Sequence, residues 1–281
     1  MKFIAACAIS IRARAPKAWL FLALVLLFAA LAPIFSANPH VQNLSATLQP
    51  PSSSAWLGSD YLGRSVTARL AEALRVSLGL AFGAAALAVA LGTAAGLLAA
   101  WRGGWVDRAL SLTADAVAAL PALLWVLLLG SMSPGSLWPL YLGLVLTGWI
   151  EFFRYVRPTA QGLLGSQPVQ ASRLLGFGPR YVLVKHLAPP MGPTLLGLAC
   201  YAVATAVLSV AALGFVGVGL RPPTAELGIM MTEALPYYSQ APWILAAPVL
   251  VLVGVVLALQ SITSHTDIRK SAAVRSGQDA I

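Results

Sequence analysis

The chain has 281 residues, of which 59% are hydrophobic and only 10% are charged, and its mean hydropathy is +0.82. Soluble domains carry charge on about a quarter of their residues, so this composition excludes an ordinary soluble protein. The net charge of +9 does not indicate a nucleic-acid-binding protein, because the basic residues are scattered between apolar runs. The composition instead predicts an integral protein of a lipid bilayer.

Six apolar runs are each long enough to cross a hydrocarbon core of about 30 Å as a helix. In chain order they cover residues 18–35, 76–101, 109–132, 137–153, 195–215 and 243–260. We therefore predict an all-α membrane protein with six transmembrane helices. The first run also fits a cleaved signal peptide with a cleavage site at residues 35–37, but we favour a retained helix because the run is long and further spans follow.

The basic residues predict how the chain is oriented in the membrane, because cytoplasmic loops are enriched in Lys and Arg. Fourteen of the 18 Lys and Arg residues fall in segments that would share one side with the N-terminus. Only Arg64, Arg69, Arg75 and Arg221 fall on the other side. Both termini are thus predicted to be cytoplasmic: residues 1–17 as a basic N-terminus, 36–75 as a periplasmic loop, 76–260 as the transport domain and 261–281 as a cytoplasmic tail.

Small residues recur at helical spacing in the second apolar run. Gly79 and Gly83, and then Gly92 and Gly96, each follow the G-x-x-x-G pattern. This spacing lets two helix backbones approach closely in lipid, although it also arises by chance in segments rich in Ala and Gly. The second run is therefore a candidate for close packing on another span.

A basic segment interrupted by Gly and Pro, residues 167–193, lies between the fourth and fifth runs. Pro168 suits a helix start, and Gly176 with Gly178-Pro179 would end that helix. A second short helix is predicted over residues 180–187, with Pro189-Pro190 as its stop. The segment thus predicts two short helices joined by a Gly/Pro elbow, on the cytoplasmic side of the membrane.

This segment resembles the cytoplasmic E-A-A loop of permease subunits in bacterial binding-protein-dependent ABC importers. The matching positions are Gln170-Ala171-Ser172, Gly176 and His186-Leu187-Ala188-Pro189, with Gln in place of the usual Glu. The resemblance implies that the loop docks into a cleft of an ATPase subunit and transmits ATP-driven motion. Arg173, Arg180 and Lys185 would then meet an acidic rim of that cleft. The alternative is a basic loop that only anchors two spans.

Further stretches resemble the C-type permeases of the dipeptide, oligopeptide and nickel importers. They are Trp56-Leu57-Gly58-Ser59-Asp60-Tyr61-Leu62-Gly63-Arg64, the turn Gly103–Arg108, Asp115 with Pro121, and the blocks Leu213–Leu220 and Pro222–Thr224. Together with the loop they cover about residues 55–250, while the family's usual block after the last helix is missing. The resemblance implies pairing with a B-type permease, one or two ATPase subunits and an extracytoplasmic solute-binding protein.

Some of these residues have more than one possible role. Asp115 lies in an apolar run, where a carboxylate suggests function, but pairing with a cytoplasmic arginine such as nearby Arg108 is favoured. Pro121 is expected to bend the third span. Asp60 and Arg64 would either cap the helix entering the second span or contact a partner. A further two acidic residues, Glu226 and Glu233, are expected to face the outside, either solvated or beneath a docked binding protein.

No segment predicts catalysis or a bound cofactor in this chain. A phosphate-binding loop needs Gly before Lys, and no lysine here has one. The three histidines, His40, His186 and His265, lie in separate segments without metal-ligand spacing. The resemblance to ABC importer permeases implies that ATP and magnesium bind to partner subunits. The predicted function is import of a small solute, with di- or oligopeptides favoured, nickel or a metal–metallophore complex as the alternative, and a secondary transporter or channel as the alternative of another class.

Overall fold

The computed structural model describes residues 15–35, 38–53, 55–133 and 135–278, with only the backbone described from residue 264 onward. Within these ranges the chain is helical and contains no β-strand. The main helices are α1 (Ala15–Phe35), α2 (Val66–Arg102), α3 (Gly104–Ala118), α4 (Ala122–Met132), α5 (Leu137–Leu164), α6 (Gln167–Leu174), α7 (Pro179–Val216), α8 (Leu227–Ala234) and α9 (Pro242–Gln278). Short 3₁₀ turns occur at Leu44–Ala46 and Leu235–Tyr237.

Not all of the six predicted spans meet the length and hydropathy expected of a membrane-crossing helix. Among the described residues, α2, α7 and the Pro242–Thr263 part of α9 do so, and α3 with α4 forms a fourth apolar span bent by 76°. The apolar part of α1, Pro16–Ala32, is shorter, and the second half of α5 carries Glu151, Arg154 and Arg157. The all-α prediction is confirmed, and crossing by α1 and α5 stays a prediction.

The second span begins earlier than the sequence predicted. Residues 66–75 were assigned to the periplasmic loop, yet α2 starts at Val66. The hydroxyl of Ser65 caps the helix by accepting a hydrogen bond from the Ala68 N–H at 3.4 Å. A Ser at this position satisfies one of the amide groups that a helix start leaves without a partner. Residues 66–75 are therefore helical, and their periplasmic location stays a prediction.

The third span is broken at Pro121, so the predicted bend is confirmed in a stronger form. Pro121 has an extended ψ of 137° and directly precedes α4. Proline has no N–H to donate to the preceding turn, which leaves carbonyl groups of α3 without helical partners. One of them, the Val117 carbonyl, accepts a hydrogen bond from the Trp125 indole N–H at 2.9 Å. A side chain of α4 thus stabilises the break.

The helix α1 is part of the packed fold. Ala18, Leu22, Val25 and Ala29 are buried at helical spacing and join a core that also draws on α2, α7, α8 and α9. Close packing on α9 is visible at Gly254, where an added Cβ would lie 2.6 Å from the Phe21 ring. Retention of α1, as opposed to cleavage of a signal peptide, stays a prediction.

The helices α2 and α5 pack closely at the second G-x-x-x-G pair. A Cβ added at Gly92 would overlap the Trp149 carbonyl oxygen and lie 2.6 Å from Cβ of Phe152. At Gly96 the same atom would lie 2.8 Å from Val156. Gly79, by contrast, has no neighbouring atom within 4 Å of the position of a Cβ. Only the Gly92 pair therefore serves as the close-packing site that the spacing suggested.

Alanine at Gly92 is expected to destabilise the protein, because α2 and α5 must separate to admit the methyl group. Overpacking of this kind costs about 1–3 kcal/mol. The midpoint of thermal unfolding in detergent would measure the loss, and Gly79→Ala is the matched control because it places the same methyl group in open space. Equal midpoints for the two variants would contradict the packing role of Gly92.

The helix that follows the basic segment does not stop at Pro189-Pro190, which corrects the prediction. It continues from Pro179 to Val216, with one wider π-helical turn at Leu183–Leu187. Pro189 and Pro190 stand in the first turn after that π turn. A wider turn relaxes the demand for the amide donors that prolines lack, so the helix passes through both of them. α7 therefore joins the basic segment to a membrane-spanning helix without a loop.

Candidate functional site

The elbow between α6 and α7, residues 175–178, is built around Gly176. The Gly176 N–H donates to the Arg173 carbonyl at 3.0 Å, and the Phe177 N–H donates to the Ser172 carbonyl at 3.1 Å. This pair of bonds is a Schellman motif, which requires a left-handed residue after the helix. Gly176 has a φ of +81° and supplies it. The first predicted short helix and the glycine break are therefore present, whereas the second helix is the start of α7 and not a separate short element.

Several contacts fix the two arms of the elbow to each other. The Ser172 hydroxyl lies 2.8 Å from Nε2 of His186, which joins α6 to the π turn of α7. The Phe177 and Tyr181 rings stack at 4.2 Å, and Tyr181 meets His186 edge-on at 5.9 Å. Ser172 replaces the second Ala of the family pattern, so this departure adds a cross-link. These side-chain contacts hold the two arms of the elbow together.

The arms also rest on the ends of the spanning helices. Val169 of α6 and Val182, Leu187 and Met191 of α7 are buried in a cluster with Val156 of α5. On the exposed side, the guanidinium of Arg173 lies 5.7 Å from the Trp101 ring, at the last turn of α2. Such a cation–π contact contributes about 0.5–1 kcal/mol at an exposed site. The elbow is therefore fixed to the end of the molecule where α2 terminates.

Exposed apolar side chains cover the tip formed by the elbow and its two arms, which we together call the platform. Leu174 is 90% exposed, Leu175 77%, Val184 68% and Phe177 44%. We call these four residues the apolar knob. From the sequence, the basic residues are the predicted contacts here, and Leu174 and Leu175 are predicted only to form a helix. Two adjacent leucines beside a glycine break were the signal in the sequence for this exposure, because a helix of eight residues buries only one face.

The other predicted residues of the segment surround the knob. Gln170, Ala171, Arg173, Arg180, Lys185 and Pro189 are exposed, and His186 is half-buried. The Gln170 amide donates to the Gly165 carbonyl at 3.1 Å, so it braces the start of α6. The structure therefore brings the predicted residues together around one surface, with the apolar knob at its centre and the cations at its edge.

A cluster of buried ions lies at the opposite end of α2. Oδ2 of Asp60 accepts from Nε of Arg64 at 2.6 Å and from Nη1 of Arg69 at 2.8 Å, while Oε2 of Glu233 accepts from Nη1 of Arg69 at 2.7 Å. These four residues form the ion cluster, and their side chains are 3–13% exposed. Asp60 does not cap α2, because Ser65 does. Through Arg69 and Glu233 it ties the loop of residues 56–64, which we call the signature loop, to α8.

The signature loop of residues 56–64 needs its glycines for this fold. Gly58 and Gly63 have φ values of +70° and +71°. An added Cβ at Gly58 would overlap the Gln49 carbonyl oxygen, and one at Gly63 would overlap that of Asn43. Trp56 is 72% exposed and contributes to the surface of the loop. Tyr61 stacks on Tyr237 at 5.4 Å, and burial raises the pKa of its hydroxyl above the usual range.

Of the two roles considered for Glu226 and Glu233, simple solvation is excluded because both side chains are largely buried, and their position beneath a docked binding protein stays a prediction. Glu233 belongs to the ion cluster, and Glu226 is 1% exposed at the start of α8. The Glu226 carboxylate accepts from the N–H groups of Gly228 at 2.9 Å and Ile229 at 3.1 Å, and from the Ser77 hydroxyl at 3.2 Å. Burial raises the pKa of the Glu226 carboxyl, and these hydrogen bonds oppose the rise. Both acids hold α8 against the bundle.

The comparison with protein families decides the identity of the chain. Residues 92–270 match the family described as binding-protein-dependent transport system inner membrane component. The chain belongs to this family. It is therefore a permease subunit of an ABC importer and an inner-membrane protein.

Individual relatives support the same assignment. The permease is 33% identical over 230 residues to the oligopeptide transport system permease protein OppC of Bacillus subtilis (strain 168), covering 82% of this chain and 75% of OppC. It is 34% identical over 201 residues to the nickel transport system permease protein NikC of Escherichia coli (strain K12), covering 71% of this chain and 72% of NikC. The resemblance to oligopeptide- and nickel-type permeases is confirmed, and the alternative of a secondary transporter or channel is not supported.

A solved structure shows the same fold. The permease superposes on a chain of the inward-facing MetNI methionine ABC transporter with a TM-score of 0.54 and 20% identity, covering 70% of this chain and 93% of that one. At this identity the likeness concerns the fold alone.

Asp115 of the permease is paired, as the favoured interpretation held, but with Arg154 instead of Arg108. Oδ1 of Asp115 accepts from Nη2 of Arg154 at 2.9 Å, and both side chains are more than half exposed. Asp107 pairs in the same way with Arg157 of α5. These two pairs connect α3 to α5 near the elbow end. Asp115 is thus neutralised within the permease.

Proposed function

We propose that the permease couples to an ATPase subunit through the apolar knob, which is the observation that carries the proposal. Leu174, Leu175 and Val184 are more than two-thirds exposed on a platform that is otherwise cross-linked and packed. Exposed apolar patches rimmed by polar residues on a rigid surface are typical of protein–protein contacts. The platform sits at the elbow end of α2, away from the ion cluster.

The charges around the knob support an acidic partner surface. Arg173, Arg180 and Lys185 are exposed, and none of them forms an ion pair with any described residue. Like-signed charges at the rim of an apolar contact favour a partner of opposite sign and speed its association. The ATP and magnesium that drive transport would bind to that partner, and this chain would hold no cofactor of its own.

The proposed topology has six crossings: α1, α2, the bent pair α3–α4, α5, α7 and α9. Packing of α5 along α2 at Gly92 and Gly96 supports its crossing beside a spanning helix. The excess of Lys and Arg favours a cytoplasmic location for both termini and the elbow. The ion cluster and α8 would then face the solute-binding protein, and a homologous B-type permease would complete the pathway.

Oligopeptides are the proposed substrates, with nickel or a metal–metallophore complex as the second candidate. The match to OppC covers more of the chain than the match to NikC, and this favours peptides. ATP-dependent uptake of a labelled tripeptide and of radioactive nickel by cells with and without the permease would test both. Uptake of nickel alone would reject the peptide assignment.

Valine at Gly176 is expected to abolish co-purification of the ATPase subunit and ATP-driven transport. A β-branched residue is a conformational outlier at a φ of +81°, so the elbow must rearrange and the knob must move. The measurement is affinity purification of the tagged permease from solubilised membranes, followed by quantification of the bound ATPase. Gly178→Val is the matched control, because Gly178 has a φ of −74° and no neighbouring atom within 4 Å of an added Cβ.

The two valine variants separate coupling from general misfolding. Both should reach the membrane in the same amount and elute together in size-exclusion chromatography. An ATPase that remains bound at wild-type levels to Gly176→Val would overturn the proposed coupling site.

A further inference from the structure

A cavity between α2, α4, α5 and α7 has a single charged side chain in its wall. It is open on one side, and its volume is about 80 Å³, or about 530 Å³ when the solvent space at its mouth is counted. Most of its wall is made of small residues, among them Ala84 and Ala88 of α2 and Ala202 and Ala206 of α7. The charged residue is Glu151 of α5, and it is exposed at the cavity.

Hydroxyl groups stand beside this carboxylate in the same wall. Thr147 lies one turn before Glu151 on α5, and Thr205 and Ser209 face the cavity from α7. The Thr147 and Thr205 hydroxyls donate to carbonyls of their own helices, those of Gly143 and Tyr201, each at 3.0 Å. Their oxygen lone pairs therefore stay available as acceptors. The cavity presents acceptors and negative charge to whatever enters it.

Glu151 is not neutralised by the permease itself. None of the residues described forms an ion pair or a hydrogen bond with its side chain. The next charged residue on the same face of α5 is Arg154, which already forms an ion pair with Asp115 at 2.9 Å. The Glu151 carboxylate therefore has no counter-ion among the described residues, since Arg154 is already paired.

The depth of Glu151 makes a lipid-facing position unfavourable. Its neighbour Phe152 packs on Gly92 of α2, and about 15 Å of helix separates Gly92 from Arg102 at the end of that span. An unpaired carboxylate in contact with hydrocarbon at this depth costs about 2.5–3.5 kcal/mol even on the membrane-insertion scales, which give the lowest values. A carboxylate at this depth therefore points to a water-filled cavity or a bound cation.

The exposed face of α5 continues this polar surface towards the elbow. Glu151, Arg154, Pro158 and Gln161 are all exposed and follow one another at spacings of three and four residues. Such spacing places them on one face of the helix. A polar track therefore leads from the cavity to the end of the permease that carries the apolar knob.

We propose that this cavity is a stage of the substrate path and that Glu151 binds the cationic group of the substrate there. The group is an ammonium or a metal cation, and the hydroxyls of Thr147, Thr205 and Ser209 supply neutral acceptors around it. The inference rests on the proposed function, because it assigns a substrate contact to the permease of that importer. It adds charge selection within the membrane to the coupling role of the elbow.

The test measures how a thiol in the cavity reacts with cationic and anionic reagents. The substitution Ala202→Cys, in the cavity wall, is introduced into the full chain carrying Cys7→Ser and Cys200→Ser, in inverted membrane vesicles that contain the partner subunits. Labelling rates with the trimethylammonium-ethyl and the sulfonato-ethyl methanethiosulfonates are compared for Glu151, Glu151→Gln and Glu151→Asp. For each variant, the ratio of the cationic to the anionic labelling rate is divided by the same ratio measured for free 2-mercaptoethanol.

The cationic reagent is expected to be preferred when residue 151 is acidic. Loss of one full charge near the thiol should lower the ratio by about five-fold or more in Glu151→Gln, and Glu151→Asp should keep it. Protection by trialanine but not by N-acetyl-trialanine would identify an ammonium as the bound group, and protection by nickel chloride a metal cation. Protection by none of them would overturn the binding role.

Two further outcomes separate this site from the proposed function. An unlabelled thiol, or equal ratios for Glu151 and Glu151→Gln, would overturn the cation site even where ATP-dependent uptake is intact. A charge preference in vesicles whose permease neither retains an ATPase nor takes up substrate would leave the site standing as a cation-selective cavity and reject the importer function proposed above. The labelling needs no ATP, so the two results are obtained independently.

Discussion

Replacing Leu174 and Leu175 together by serine is expected to weaken ATPase binding about 100-fold while the permease stays folded. Each leucine that is buried on association contributes about 1.5–3 kcal/mol, so losing two removes at least two factors of ten. Both side chains are exposed in the free permease, at 90% and 77%, so the fold does not depend on them. Titration of the detergent-solubilised permease with the purified ATPase subunit gives the two affinities.

The matched control keeps the apolar character of the knob. Methionine at both positions preserves the buried area and should bind within a few-fold of the wild type, since such swaps cost little. Binding by the serine pair that equals binding by the methionine pair would show that the basic rim alone forms the contact.

Replacing Arg69 by methionine is expected to destabilise the permease by about 3–5 kcal/mol. Arg69 bridges Asp60 and Glu233 at 2.8 and 2.7 Å, and its side chain is 3% exposed. Removal of one partner from a buried ion network leaves uncompensated buried charge, which accounts for the size of the loss. Reversible unfolding in mixed micelles of increasing dodecyl sulfate content would measure the change in the free energy of unfolding.

Arg221→Met provides the comparison for this second prediction. Arg221 lies between α7 and α8 and is exposed, so replacing it by methionine should change the free energy of unfolding by less than about 0.5 kcal/mol. A similar, small change in both variants would mean that the ion cluster does not hold the signature loop on α8.

The sequence predicted those features that depend on neighbouring residues. Gly176 and Pro168 mark the ends of α6, and Pro121 marks the break between α3 and α4, because each acts through its own backbone. The start of α2 was readable from Ser65 as a helix cap, yet the charges of Arg69 and Glu72 made the first turns look like a loop.

Other features depend on residues that are far apart in the chain. Glu233 and Asp60 share Arg69 across more than 150 positions, so the burial of Glu233 could not be read from its own segment. The passage of α7 through Pro189-Pro190 depends on the π turn that precedes them, which the local sequence does not announce. The exposure of Leu174 also follows from which face of α6 is covered by Val182 and Leu187.

The unbroken course of α7 makes it a single lever between the two faces of the membrane. Its 38 residues correspond to a rod about 57 Å long, from the elbow to Gly217. A tilt of about 10° around the middle of such a rod moves each end by about 5 Å in opposite directions. Because α8 packs on the far end of α7, through Gly214 and Glu226, a displacement of the elbow is transmitted to the opposite surface along one continuous helix.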